Sequence, residues 1–284
     1  MPRRKPGLLT RLRRDKKALS PAISTAIITS AVVVMLLVTV SFANNYLTQR
    51  IAENEFDAAK QFMQTTGLQL DDVSWTIGRT QTIRYASTFG QVNFENETLN
   101  YSIFVNDETS ARASFTTGVL FFNMPTNKYN LGNNYYQRVY PANSSFLQAG
   151  TSAPVSSVFV IEVVPMNDGN YIRVVVAPSI RTLNSTITMG NTTRNYYNFY
   201  LPLLRSGNHP RLSQSITLQG TNVSAITNQG IYKIKIELSF LKSGQGFDEQ
   251  FFGFESHVEE ISVPAGSILG FYTSEVKVSL GLQG

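Results

Sequence analysis

The hydrophobic positions of this chain follow three successive patterns. From Ala22 to Ala43 the sequence reads AISTAIITSAVVVMLLVTVSFA, an unbroken apolar run of 22 residues. As a helix it spans about 33 Å at about 1.5 Å per residue, which matches a hydrocarbon core of about 30 Å. From Asn44 to about Thr66 no Pro or Gly interrupts the chain, and Leu47, Ile51, Ala58, Ala59, Phe62 and Met63 keep an approximate helical stripe among charged residues. This predicts that the apolar helix continues as an amphipathic stalk, with Gly67 as its expected terminator.

From Val73 onward the period becomes two. Leu99, Tyr101, Ile103 and Val105 alternate with more polar neighbours except Phe104, as do Tyr232, Ile234, Ile236, Leu238 and Phe240, and Val276, Val278, Leu280 and Leu282 with theirs. Val158–Val164 is a nearly continuous apolar run, and a second begins at Tyr171. Between them Asn167-Asp168-Gly169-Asn170 supplies hairpin-turn residues. Many short strands separated by Asn, Gly and Pro turns, with no helical pattern between them, predict an antiparallel sandwich. The fold class expected is an N-terminal transmembrane α-helix continuing as a stalk, followed by an all-β, antiparallel, sandwich-like ectodomain. The divisions are 1–18 leader, 19–43 transmembrane and assembly helix, 44–72 stalk and 73–284 β-rich domain. A Ser/Ala/Pro-rich stretch at 142–157 marks where that last part would divide in two. Trp75 is read as the residue that anchors the helix on the sandwich.

Charge sets the orientation. Eight of the 24 Lys+Arg fall in residues 1–17 against the single acid Asp15, so this segment carries +7, the whole chain +5, and the remainder sums to −2. No charge then appears until Arg50. A basic flank before a hydrophobic span keeps the N-terminus cytoplasmic and places the β-rich part outside. The basic residues form a terminal tag and not a domain face, so no nucleic-acid partner is expected; the partner the span implies is membrane lipid. With no cysteine in the chain, disulfides, thiolate metal sites and a cysteine nucleophile are excluded.

The segment Lys16-Lys17-Ala18-Leu19-Ser20-Pro21-Ala22, leading into the apolar run, resembles the class III signal of archaeal type IV pilins and archaellins. The resemblance implies cleavage by a prepilin-type signal peptidase between Ala18 and Leu19, after Lys17-Ala18. Removing 18 of 284 residues would leave a mature chain of 266, large for a major pilin and suited to a minor or pilin-like subunit. Ile23 stands where bacterial pilins carry a glutamate, which fits the archaeal type. Pro21 would then fall in the first helical turn, where proline is tolerated. Other pilin-like subunits, met through the helix, are implied as partners. Two other fates are open: an uncleaved signal anchor, and secretory cleavage after Ser41-Phe42-Ala43. Independently of the resemblance, Ala22, Ala26 and Ser30 form a small-residue stripe on which helices could approach closely.

The remaining candidate chemistry is sparse. N-x-S/T sequons, candidate N-glycosylation sites of a surface protein, occur at Asn96, Asn100, Asn143, Asn184, Asn191 and Asn222, where about four would arise by chance in a chain this rich in Asn, Ser and Thr. His209 and His257 lack ligand-like spacing, and no nucleophile, phosphate-loop or dinucleotide motif is present. Asp248, Glu249, Glu255, Glu259 and Glu260 surround His257 among aromatic residues; they are read as surface charges, with paired-carboxylate chemistry or a calcium site as the sharper alternative. No enzyme activity, cofactor or metal is expected. The function expected is a pilin-like cell-surface structural protein, in the membrane or in a surface filament, displaying its β-rich domain for adhesion or surface interaction. The alternative is an uncleaved single-pass ectodomain that binds a ligand or processes a glycan.

Overall fold

The structure, a computed structural model, describes residues 8–190 and 192–281, with the backbone alone for 8–20 and Ala22. Contacts divide the chain into two compact units, Met1–Ile51 and Ala52–Gly284. A long helix, α1 (Leu8–Ser74), contributes to both. The strands are β1 (Thr80–Arg84), β2 (Gln91–Val105), β3 (Ala113–Pro125), β4 (Tyr135–Tyr140), β5 (Leu147–Ala149), β6 (Ser156–Met166), β7 (Gly169–Pro178), β8 (Ile180–Met189), β9 (Thr192–Ser206), β10 (Ser215–Phe240) and β11 (Val258–Leu280). A short helix, α2 (Glu249–Phe252), interrupts them. A long apolar N-terminal helix followed by a mostly β domain is the architecture its periodicities predict.

In the second unit the helix presents Ala52, Phe56, Ala59, Met63, Thr66, Leu70 and Val73, all buried, at spacings of four and three. That stripe packs on Val92, Leu120, Phe122, Val158, Val160, Val174, Val176, Ile216, Leu218, Val276 and Val278. It is rotated from the expected one: Leu47 and Ile51 are exposed, and Phe56 and Leu70 are core. Gly67 does not end the helix, which runs on to Ser74. The residue is glycine because the helix touches β6 there. A Cβ on it would meet Ser156 Oγ at 2.9 Å and Val158 Cγ2 at 3.0 Å. Ser156 Oγ donates to the Gly67 carbonyl at 2.9 Å across the same contact.

The strands form one sheet in the order β4-β6-β7-β3-β2-β10-β11-β9-β8-β5, with β1 beside β10. Most pairs are antiparallel; β9 with β11 and β5 with β8 are parallel. The sheet coils on itself, so that Leu99, Tyr101, Phe121, Phe159 and Val175 share an interior with Phe199, Leu201, Ile234, Ile236 and Phe271. Strands β3, β6 and β7 are therefore covered on both faces, by the helix and by this interior. That is why 158–164 lacks alternation. Val276, Val278 and Leu280 do alternate, but they face the helix. Leu282 lies outside the described residues.

β10 serves both layers: Ile216 and Leu218 face the helix, and Ile231, Ile234, Ile236 and Leu238 the interior. Register shifts at Gly220/Asn222, Gln229/Ile231 and Ile231/Lys233 accomplish the change. They also overturn one expectation. Tyr232, expected on the dry face with Ile234, is exposed, and Ile231 takes the buried position. The hairpin at Asn167-Asp168 forms as expected, with Met166 opposite Gly169 and Gly169 at φ 123°. Residues 142–157 lie within the second unit and carry β5.

Candidate functional site: the surface of the long helix

Over the apolar run, twelve large hydrophobic residues from Ile23 to Phe42 are between 48 and 72% exposed and cover every face of the helix. Burying one such side chain completely is worth about 1.5–3 kcal/mol. Leaving all twelve in water forgoes roughly 10–20 kcal/mol, as much as the ~5–15 kcal/mol net stability of a domain. This is the one helix among the described residues long and apolar enough to cross a membrane.

Three hydroxyls along the run are turned inward. Thr29 Oγ1 donates to the Thr25 carbonyl at 2.8 Å, Ser30 Oγ to Ala26 at 2.8 Å, and Thr39 Oγ1 to Met35 at 2.7 Å. Each hydroxyl proton is satisfied within the helix, the condition for a polar group at hydrocarbon depth. In the stripe, Ser30 therefore behaves as a small residue beside Ala26; the side chain of Ala22 lies outside the described residues. At the C-terminal end of the run, Arg50 Nε donates to the Tyr46 hydroxyl at 3.1 Å, and the guanidinium lies 5.3 Å from that ring's centroid. An aromatic residue and a long cation at this position suit the headgroup level. The hydroxyl and Tyr46/Arg50 pairings escaped the reading of the sequence, although their i, i+4 spacing is visible in it.

At the other end, the backbone of Lys17, Ala18 and Leu19 is helical, and their side chains lie outside the described residues. Pro21 sits inside the helix. It has no N–H for the Lys17 carbonyl, a defect that disappears if the chain starts at Leu19.

Beyond the span, four contacts fix the helix to the sheet. Glu55 accepts from Thr88 N at 2.9 and 3.0 Å, from Phe89 N at 3.1 Å and from Ser87 Oγ at 3.0 Å. Burial opposes the Glu55 charge, but these donors outweigh it and hold its pKa below the ordinary 4.5. Phe56 packs on Tyr129 with ring centroids 5.3 Å apart, and Phe62 on Tyr85 at 5.0 Å. Trp75 anchors the helix end as expected. Its Nε1 donates to Asp71 at 2.8 Å, its ring meets Tyr200 edge-on at 5.3 Å, and Asp71 pairs with Arg181 at 2.8 Å.

The sequons separate by environment. Asn143, Asn184 and Asn222 are exposed, whereas Asn96 and Asn100 are partly buried on β2. Asn191 lies outside the described residues. The acidic group around His257 is dispersed into structural contacts. Asp248 caps α2, Glu255 and Glu259 accept from Ser144 and Ser145, and Glu260 pairs with Lys233. Glu249 stands 3.6 Å from His257 Nδ1. Among the described residues no three of His, Cys, Asp and Glu gather as a metal-holding group. Asp168 of the hairpin is paired with Arg173, which is fully buried. His209 stacks on Phe94 and bonds Ser206 Oγ at 2.9 Å; burial, then Arg211, lower its pKa. A cleft of about 360 Å³ between Tyr85–Val92 and Arg211–Ser215 is open and lined mainly by hydroxyls, amides and backbone.

These features define a β-rich domain carried on a helix fit to cross a membrane. Compared with known family models, curated proteins and solved structures, the chain matches none.

Proposed function

We propose that this chain is a pilin-like cell-surface structural protein. A prepilin-type signal peptidase removes residues 1–18. The helix from Leu19 holds the protein in the membrane or joins it to other pilin-like subunits, and the β-rich domain is displayed outside for adhesion or surface interaction. The observation that carries the reading is the helix surface: charge-free from Ala18 to Gln49, apolar on every side of the run, with the hydroxyls of Thr29, Ser30 and Thr39 folded onto its own backbone, and entered through Lys16-Lys17-Ala18. The basic leader accounts for the orientation. The contacts of Glu55, Phe56 and Trp75 let a force on the helix reach the sheet directly.

The test is replacement of Lys17 by Gln together with Ala18 by Leu, in a host that processes the parent chain. The double variant should stay in the membrane fraction and keep its leader, migrating more slowly than the parent on a gel. Unchanged processing of the variant contradicts the proposal.

A further inference from the structure

One arm of the sheet, β10-β11-β9-β8, has two open edges. β10 pairs with β1 at Ser215–Gln219 and with β2 at Ile234–Phe240. Between these, from Asn222 to Gln229, it pairs with β11 alone among the described residues. Among the described residues β8 meets β5 only at Ile180–Thr182, and from Leu183 to Met189 it pairs with β9 alone. Along each open stretch alternate residues direct an N–H and a C=O outward, a template for another strand. Folded proteins guard such edges with charge, proline, a bulge along the edge or a cover. Neither LNSTITM (183–189) nor TNVSAITNQG (221–230) contains a charged residue or a proline. The β10 register shifts fall at the ends of its open stretch.

Each open stretch does carry an exposed sequon: Asn184-Ser185-Thr186 on β8 and Asn222-Val223-Ser224 on β10. The contrast is β2, an internal strand. There Asn100 Nδ2 is held at 3.2 Å by Ser102 and 3.3 Å by Ser239, Asn96 Oδ1 is buried, and Thr98 is fully buried. Asn143 is exposed in the loop before β5 and guards no edge. The number of sequons is near chance; their distribution between open and internal strands is the observation.

We infer that Asn184 and Asn222 are N-glycosylation sites whose glycans guard the two open edges against pairing with other strands. The donor is an oligosaccharide linked to a polyprenyl phosphate. The Asn Nδ2 attacks the anomeric carbon, a C–N bond forms, the C–O bond to the phosphate breaks, an amide proton passes to a base, and the lipid phosphate leaves. A partner strand would have to lie about 4.8 Å from the edge. The asparagine side chains stand off the sheet face, and a glycan of several sugars rooted at the beginning of each open stretch is large enough to overhang the edge and crowd that space. The inference rests on the proposed placement of the domain outside the cytoplasm.

The test begins with peptide mass spectrometry on the full chain purified in detergent from its native membrane. Asn191 is replaced by Gln throughout, because it shares a tryptic peptide with Asn184. Hexose-bearing peptides are expected at Asn184 and Asn222, with Asn96 and Asn100 unmodified. Asn143 reports access to the transferase: a glycan there with none at Asn184 or Asn222 overturns the inference and leaves the outside placement standing. With no glycan anywhere the inference also fails, and protease digestion of the β-rich domain in intact cells then reports separately on its placement. The second arm replaces Asn184 and Asn222 by Gln and measures self-association by sedimentation relative to the parent in the same detergent. A several-fold rise in higher species is expected, reversed by adding Ser185→Lys and Ala225→Lys. Association equal to the parent's, or not reversed by lysine, overturns the guarding role.

Discussion

Glu55 sits where the helix meets the sheet, and its carboxylate gathers the donors of the 87–89 loop, which Gln214 also holds through the Ser87 backbone. Because its folded pKa is depressed, the stability it contributes is present above its ordinary value of 4.5 and is lost as pH falls through the depressed value. Glu55→Gln should therefore flatten the acid limb of the stability profile below pH 4.5, measured by thermal unfolding of the detergent-solubilised chain. An acid limb identical to the parent's would show that the clamp carries no linkage. Gly67 makes the complementary point about space. Ala there gains up to about 1 kcal/mol of helix propensity against a tight contact, so Gly67→Ala should be near neutral. Gly67→Val should cost about 1–3 kcal/mol by overpacking on Ser156 and Val158. For a unit of this size that is a fall of several degrees in Tm. No sequence rule marks either residue. Glu55 reads as one more stalk charge and Gly67 as a helix stop, because their partners lie some thirty and ninety positions away.

At the scale of elements, the apolar run was legible because length and absence of charge suffice to identify it. The face of the stalk was not. Leu47 and Ile51 look like core by type, yet they are exposed, while Ala52 and Gly67, outside the expected stripe, are buried. Small residues mark the close side of a helix–sheet contact, a fact visible only once the sheet is present. Strand alternation was readable where one face is wet, and it failed at Tyr232, where a bulge moves the side chain across. The apolar helix offers its own test. Ala26→Phe keeps the segment hydrophobic, so insertion should survive, but the bulk beside Ser30 should reduce helix–helix crosslinking of processed protein about tenfold, the effect of about 1–2 kcal/mol. Val33→Leu, changing volume modestly on another part of the surface, should crosslink like the parent. Equal crosslinking of both variants would reduce the stripe to ordinary membrane-helix composition.

At the scale of the molecule, composition and period predicted a helix followed by a β-rich domain, and that is the architecture. They did not give the two layers made from one sheet, the parallel pairing of β9 with β11, or which sequons sit on open edges. All three depend on pairings between residues far apart in the chain. Of the site, the charge-free run was legible, because length and apolarity are local properties of the chain. The central claim is that the chain is processed as a pilin-like subunit, and the intact mass of the protein from its native membrane tests it most directly, glycans having been removed first. The account predicts a single mature chain beginning at Leu19. A chain beginning at Asn44, or one retaining Met1 or Pro2, would contradict it.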